Sequence, residues 1–344
     1  MQPTDMRSKD SRKERKYRKH VFSPKVLKEV QALCRQIDNF HGPLAFFQDI
    51  LIVASMIALG VWFPFLLPLS LVVIGTRQRA LDTLLHEAVH MTLARNRKLN
   101  HIIGSLSGWS VFHTFYDYQK SHVKEHHVYL GDKEKDPDTQ NYNSQLLFET
   151  GPEVLFRRHL LPRLLGLRTP SVIHSIYTNL LGSFQKGGVD RRETIHFLIF
   201  WFLVLSLIFH SGLTWYFLLF WLVPYLTIFQ AIEWLTEVAE HFPLVELYDS
   251  ELMITRNRQG SRFEQLFTGI HNEDWHLVHH LHPGIPFWKL RDAHEVFLQD
   301  CTYEEANRHS GGLFTAGPKG QPSIISLLQQ QLSRVQLEAN QTTQ

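Results

Sequence analysis

Histidines at helical spacing are the residues of this chain whose chemistry can be anticipated first. They form three motifs, which run from His86 to His90, from His122 to His127 and from His276 to His280. Residues four apart on a helix lie about 5 to 6 Å from each other on one face, so paired histidines can direct two imidazoles at one point. Neutral imidazole is the commonest transition-metal ligand in proteins and suits iron, zinc, copper or nickel better than magnesium or calcium. The sequence therefore predicts a transition-metal site built from three distant segments.

The segments between these motifs must position them, and their composition is typical of a membrane protein. No charged residue occurs from Ile50 to Thr76, a run longer than the ~20 residues that one membrane span requires. Because Pro64 and Pro68 interrupt helices, we divide the run into two spans. One extends from about Ala45 to Phe63, and the other begins near Phe65 and continues into the first histidine motif. These two spans form the first predicted hairpin.

A second predicted hairpin lies between the second and third histidine motifs. Its spans are Phe197 to Phe209 and Leu213 to Ile232, separated by His210-Ser211-Gly212. Two hairpins return the chain to the side of the membrane on which it started, so all three motifs emerge on one face. The predicted fold class is therefore all-α, an integral membrane protein with four transmembrane helices and a cytoplasmic helical cap that carries the histidines.

Charge and composition define the remaining expectations. The first 20 residues contain eight Lys or Arg residues and three acidic residues, which predicts a cytoplasmic N-terminus, with the C-terminus and the metal site on the same side. A formal net charge of +2 indicates no nucleic-acid partner, and two cysteines indicate no disulfide framework. We expect residues 1–44 to form a basic segment with an amphipathic helix, residues 45–300 the membrane domain, and residues 301–344 a mobile polar tail.

Other interpretations of the histidines remain open at this point. His86-Glu87-x-x-His90 matches the motif of zinc metallopeptidases, in which two histidines bind zinc and the glutamate is the general base, which here would mean an intramembrane protease. Such a site needs one further protein ligand, which leaves the other two motifs without a role. A polar helix face at the membrane surface would explain any single motif. A histidine-rich metal transporter would place its ligands within the spans, whereas these motifs lie just beyond them.

The order of the motifs, HxxxH, HxxxHH and HxxHH with a membrane hairpin before the third, resembles the membrane fatty acid desaturase and hydroxylase superfamily. The similarity extends over about residues 47–297 and includes Asp136-Pro137-Asp138 after the second motif and Pro283-x-Ile285-Pro286 after the third. The resemblance implies a non-haem centre of two iron ions, with O2 as co-substrate. It also implies nine ligands, the ninth being a histidine just after the fourth span. These are His86, His90, His122, His126, His127, His241, His276, His279 and His280.

The same resemblance defines the expected activity. Within the superfamily the chain is more similar to bacterial acyl-lipid and natural-product desaturases than to acyl-CoA enzymes of animals. We expect a fatty acyl desaturase that introduces a carbon–carbon double bond into a membrane lipid. The alternative is a hydroxylase or desaturase of a carotenoid, a sphingolipid or an amphiphilic natural product. Electrons would come from a separate ferredoxin or cytochrome b5.

Catalysis is expected to depend on the metal centre and not on a separate acid–base pair. Ligand histidines in proteins usually donate their second ring N–H to a carboxylate, a carbonyl or water. Asp138 and Glu240 are the carboxylates that we expect in this role, and Glu87, Asp136 and Asp274 are further possibilities.

Overall fold

The computed structural model describes residues 17–149 and 151–341, so the basic segment of residues 1–16 lies outside the described part. Within the described residues the chain is helical, and the only strand-like pairing is one isolated bridge between Arg18 and Ser250. The predicted all-α class is confirmed.

The helices of six or more residues are Pro24–Cys34, His41–Trp62, Leu67–Val89, Arg97–Ser110, Gln119–His126, Pro137–Ser144, Thr169–Lys186, Gly188–His210, Gln230–His241, Arg262–Thr268, His276–Leu281, Leu290–Phe297, Cys301–Ala306 and Ile324–Gln341. The shorter helical segments are Pro64–Leu66, Phe115–Tyr118, His127–Tyr129, Pro152–Leu155, Phe156–Leu160, Leu161–Leu164, Thr214–Phe217, Leu218–Leu222, Tyr225–Phe229, Leu244–Leu247, Ile270–Asn272 and Phe287–Lys289.

The chain folds as two compact units. Unit 1 consists of the described residues within Met1–Ile37, Ser121–Arg158 and Trp234–Gln344, and unit 2 consists of Asp38–Lys120 and His159–Glu233. Seven of the nine predicted ligand histidines belong to unit 1, and His86 and His90 belong to unit 2.

Three helical stretches of the described chain are long and apolar enough to cross a membrane, namely His41–Trp62, Gly188–His210 and Thr214–Leu247. The second predicted span corresponds to Leu67–Val89, which has 23 residues but carries Arg77, Arg79 and Asp82 from its middle onward. Its apolar part is therefore too short to identify it as a span by composition. The count of four remains a prediction.

Both predicted hairpin turns occur where the sequence contains helix-breaking residues. The first long helix ends at Trp62, a single turn of 3₁₀ helix follows, and the next helix begins at Leu67. Pro68 falls in the first turn of that helix, where a missing backbone N–H removes no intrahelical bond. In the second hairpin a helix ends at His210, and Gly212 takes a positive φ of 69° in the turn.

The helices of unit 2 are held together by apolar packing and by close backbone approach. One buried cluster consists of Val53, Ile74 and Phe220. Beside it, a Cβ added at Gly75 would lie 2.5 Å from the Cβ of Ile228, which is too close for any side chain. Small residues of this kind let helix backbones approach within a membrane domain.

Two regions contain more helix than the sequence analysis expected. Residues 169–186 lie between the second histidine motif and the second predicted hairpin, where no helix was predicted, yet they form a helix whose apolar residues follow each other at spacings of four, four and three. These are Ile173, Tyr177, Leu181 and Phe184. After residue 300, where we predicted a mobile tail, the helix Ile324–Gln341 buries Ile324, Leu328 and Leu332 completely. The predicted domain boundaries themselves are not tested by this finding.

Candidate metal centre

The seven predicted ligands of unit 1 lie in two groups of imidazoles. The first group consists of His122, His127 and His279, and the second group consists of His126, His241, His276 and His280. Within each group the nitrogen atoms that can bind a metal lie within 4.8 Å of one another. Segments 150 residues apart in sequence therefore contribute to the same small volumes, as the metal-site hypothesis requires.

The distances between ring nitrogens are short in both groups. In the second group, the Nε2 atoms of His241 and His276 are 3.0 Å apart, those of His276 and His280 are 3.1 Å apart, and those of His126 and His280 are 3.4 Å apart. In the first group, Nε2 of His127 lies 3.0 Å from Nε2 of His122 and 3.0 Å from Nε2 of His279.

These separations match the spacing of ligands on a common metal ion. An imidazole nitrogen binds zinc at about 2.0 to 2.1 Å, so two nitrogens on one such ion lie about 2.9 Å apart at right angles and about 3.4 Å apart at the tetrahedral angle. The observed values lie within this range. Both groups consist of imidazole alone, a donor set that suits iron, zinc, copper or nickel. Each group can therefore hold a transition-metal ion.

Adjacent histidines are divided between the two groups. His126 belongs to the second group and His127 to the first, and His280 and His279 are divided in the same way. Consecutive residues on a helix point about 100° apart, so one pair of neighbours serves two neighbouring sites. Each HH dipeptide thus connects the two groups.

The helix that carries the second motif is wider than an α-helix. Residues Gln119–His126 form a π-helix, in which backbone hydrogen bonds join residues five apart. Accordingly His122 and His127, which are five apart, share a group, with ring centroids separated by 4.7 Å. The α-helical spacing of four predicts that His122 and His126 share a site, whereas in the structure these two residues belong to different groups.

Carboxylates hold the second ring nitrogen of His126. Its Nδ1 atom lies 2.9 Å from Oδ1 of Asp136 and 3.2 Å from Oδ2 of Asp138. Burial lowers the pKa of His126, but the charges of Asp138 and Asp136 outweigh that effect and raise it to about 9 in the absence of metal. A proton on Nδ1 that is shared with Asp136 leaves Nε2 directed at His280, where it can bind a metal.

Two other histidines of the second group contact a carbonyl and a carboxylate. Nδ1 of His241 lies 3.3 Å from the carbonyl oxygen of Ile254, and its Nε2 atom points to His276. The predicted carboxylate Glu240 lies 3.4 Å from Nε2 of His276 and forms an ion pair of 3.0 Å with Arg258. Glu240 therefore contacts the nitrogen that faces the group.

The sequence analysis missed two buried residues that support the third motif. Asn257 accepts hydrogen bonds from the backbone N–H groups of Leu277 and Val278, at 3.0 and 3.3 Å, in the first turn of helix His276–Leu281. Arg258, which is 2% exposed, places its charge against Glu240. The available signal was the run from Thr255 to Arg258, four polar residues without apolar periodicity, all of which are buried.

The first histidine motif lies in unit 2. His86 is in the last turn of helix Leu67–Val89, and His90 is the residue that caps this helix. Their ring centroids are 5.0 Å apart, as expected for residues four apart on a helix. Glu87 of the same motif accepts a hydrogen bond of 2.8 Å from the hydroxyl of Thr92 and is 2% exposed.

Known proteins of one family are similar to this chain over most of its length. The model of the family described as fatty acid desaturase matches residues 43–312. Dihydrorhizobitoxine desaturase of Bradyrhizobium elkanii is 34% identical over 330 residues, which is 93% of this chain and 92% of that protein. The sn-1 oleoyl-lipid 12-desaturase of Synechocystis sp. is 23% identical and covers 72% of this chain and 74% of its own length. A fatty acid desaturase of Bacillus subtilis is 26% identical and covers 69% of this chain and 72% of its own length.

Proposed function

We propose that this chain, which belongs to the fatty acid desaturase family, uses two iron ions and O2 to introduce a carbon–carbon double bond into an acyl chain in the membrane. Membership of the family makes it an oxidoreductase and indicates a lipid environment. The number of irons, the use of O2 and the acyl substrate are the parts that we propose.

The observation that carries the proposal is the presence of two adjacent all-imidazole groups with nitrogens 3.0 to 3.4 Å apart. Two groups joined by shared HH dipeptides favour a dinuclear centre. When bound, the irons would supply the oxidising power that removes hydrogen from an unactivated methylene group. A single peptidase zinc would use three protein ligands and leave most of these histidines without a role.

We assign His86 and His90 to the same centre. The support is the order of the three motifs along the chain and the short distance of 5.0 Å between the two ring centroids, which lie one turn apart on one helix. With them, the centre would have nine histidine ligands. His86 and His90 would join His122, His127 and His279 on one ion, and the four histidines of the second group would surround the other. Glu87, which is buried beside this pair, would then limit the orientations available to His86.

The chain's own polar groups would maintain the geometry of the centre. Asp136 would hold the Nδ1 proton of His126, and the carbonyl of Ile254 would hold that of His241. In both cases Nε2 is left as the metal-binding atom. Arg258 would compensate the charge of Glu240, so that this buried carboxylate can stay next to His276.

We also propose four membrane spans in two hairpins, with both termini and the metal centre in the cytoplasm. The charges of the second predicted span, helix Leu67–Val89, support this because they are neutralised within unit 2. Arg77 forms an ion pair of 3.3 Å with Asp49, and Arg79 forms one of 2.8 Å with Asp82. Paired charges that face the interior are the form in which charged residues are tolerated in a membrane.

A second candidate substrate is favoured by one comparison. The protein that matches 93% of this chain at 34% identity is named for dihydrorhizobitoxine, whereas the acyl-lipid relatives are 23 to 26% identical over about 70% of the chain. The same centre would then act on a small amphiphilic compound. Electrons would come in either case from a separate ferredoxin or cytochrome b5.

The experiment combines metal analysis with product analysis in a host that expresses the full chain. We expect about two irons per chain, and a product that has lost two hydrogens relative to an acyl lipid or to added dihydrorhizobitoxine. The variant His126→Ala should lose iron and product, whereas His174→Ala, which replaces an exposed histidine outside both groups, should retain them. One zinc per chain would contradict the proposal, and a product that gains oxygen would indicate a hydroxylase.

A further inference from the structure

Unit 1 contains a cavity of about 420 Å³ whose lining residues are mostly polar or charged and include none of the predicted metal ligands. Its floor is formed by four buried side chains, those of Trp275, His294, Asn307 and Gln321. Six charged residues line the mouth, of which four are basic and two are acidic. These are Arg262, Arg291, Arg308, Lys319, Glu295 and Glu304.

The positive charges at the mouth exceed those needed for internal ion pairs. Arg308 is engaged, because it lies 2.9 Å from a carboxylate oxygen of Glu304. Within residues 17–149 and 151–341, no ion pair and no side-chain hydrogen bond engages Arg262, Arg291 or Lys319. These three cations thus line one concave site, together with Glu295 and the Arg308–Glu304 ion pair.

The field of these cations reaches the floor of the cavity. Burial lowers the pKa of His294, and the charges of Lys319 and Arg291 lower it further, to about 4. His294 is therefore neutral at pH 7, and its Nδ1 atom lies 2.7 Å from the hydroxyl of Tyr303. The floor offers neutral polar groups and the face of Trp275, whose ring centroid lies 4.3 Å from that of His294.

We propose that this cavity binds a small anion with a phosphate group, at a site separate from the metal centre. Arginine presents a planar set of donors that matches phosphate oxygens, and Arg262 and Arg291 provide two such sets beside the ammonium group of Lys319. The net charge of the six mouth residues, four positive and two negative, is balanced by a dianion. A concave site with a buried floor suits a small molecule better than the surface of an acidic protein.

The anion would also stabilise the segment that carries the third histidine motif. His294 contacts Tyr303, whose hydroxyl accepts a hydrogen bond of 3.1 Å from Asn257. Asn257 in turn holds the first turn of helix His276–Leu281 through the N–H of Leu277. A ligand that orders the cavity therefore raises the melting temperature of the whole chain by mass action.

Calorimetric titration of the detergent-solubilised full chain with sodium pyrophosphate, at constant ionic strength, tests the proposal. We expect saturable binding at one site, and a dissociation constant raised at least about tenfold in the double variant Arg291→Gln, Lys319→Gln. The matched control, Lys28→Gln with Arg35→Gln, removes two exposed cations elsewhere in unit 1 and should change the constant less than about twofold.

A second titration, with a short-chain phosphatidate, identifies the source of the phosphate group. Tighter binding of phosphatidate that is lost in the Arg291→Gln, Lys319→Gln variant would support the site with a lipid headgroup as its ligand. Tighter binding of pyrophosphate would support a soluble ligand. Absence of saturable binding for both probes, or equal weakening in the control variant, would overturn the proposal. None of these outcomes depends on desaturase activity, so this test is separate from that of the proposed function.

Discussion

The substitution Asp136→Asn tests whether His126 is a metal ligand held by a carboxylate. Asp136 is completely buried and accepts four hydrogen bonds, from Nδ1 of His126, from the N–H groups of Gly131 and Asp138, and from the hydroxyl of Thr139. Two donors approach each carboxylate oxygen. An asparagine has one oxygen, so in either orientation its NH₂ group faces two donors and two hydrogen bonds are lost.

The structure allows the effects on folding and on metal binding to be separated. A hydrogen bond to a charged group contributes about 1.5 to 3 kcal/mol, so two lost bonds should reduce the free energy of unfolding by about 3 kcal/mol or more. Loss of the carboxylate behind a ligand histidine typically weakens metal affinity 10- to 100-fold, or about 1.4 to 2.7 kcal/mol. Both changes are expected in Asp136→Asn.

The control is Thr139→Val, which removes one donor to Asp136 and leaves His126 in place. Chelator competition gives the iron dissociation constant, and thermal unfolding of the metal-free protein gives the stability. We expect Thr139→Val to lower stability by about 1.5 to 3 kcal/mol, the contribution of one hydrogen bond to a carboxylate, and to leave iron affinity within about threefold of wild type. The reasoning fails if Asp136→Asn also stays within that threefold range, or if both variants lose iron affinity equally.

Three other substitutions test the buried polar contacts. Asn257→Leu leaves the N–H groups of Leu277 and Val278 without their acceptor. We therefore expect thermal unfolding to show that the free energy of unfolding falls by about 2 kcal/mol or more, together with a lower iron content. An unchanged iron content would contradict the role of Asn257 in supporting the third motif. Glu193→Gln should destabilise by a similar amount, because this carboxylate accepts three hydrogen bonds from residues 109–116, and a melting temperature equal to that of wild type would contradict this. The pKa of His294 is about 4 in the folded chain and ~6.5 in the unfolded chain. Between these two pH values the unfolded chain binds more protons, so the folded chain loses stability as the pH falls below about 6.5. Denaturant unfolding at pH 7.5 and pH 5 measures how much free energy of unfolding is lost between these pH values. We expect this loss to be about 2 kcal/mol greater in wild type than in His294→Gln, and equal losses would contradict the neutral state of this histidine.

The positions of the hairpin turns were predictable because their signals are local. Proline at position 64 and the sequence His210-Ser211-Gly212 interrupt helices wherever they occur, and both helices end within two residues of these signals. Helix Thr169–Lys186 was not predicted, because polar residues separate its apolar residues along the sequence. Periodicity would have identified it.

Which histidines come together was easier to predict than how they are arranged. A sequence motif identifies residues of a suitable type. Which of them share a site depends on the hydrogen-bond register of the helix, and that register depends on what packs against the helix. The π-helix of Gln119–His126 changes the partner of His122 from His126 to His127, and no residue in this segment signals that change. The same limit applies to the carboxylates. Asp138 was one of the two carboxylates expected to hold a histidine and Asp136 was a further possibility, whereas Asp136 is the one that lies closer to His126.

The two HH dipeptides explain how the second and third motifs can serve two neighbouring sites. If a single ion were bound, neighbouring histidines on one helix would diverge by about 100°, and one of each pair would point away from it. In the structure the diverging members, His127 and His279, meet each other instead, with their Nε2 atoms 3.0 Å apart. The other members, His126 and His280, meet in the same way at 3.4 Å. In a mononuclear site, two of these histidines would therefore not reach the ion, whereas here they form a second site beside the first. The repeated HH thus favours a dinuclear centre more strongly than the number of histidines does.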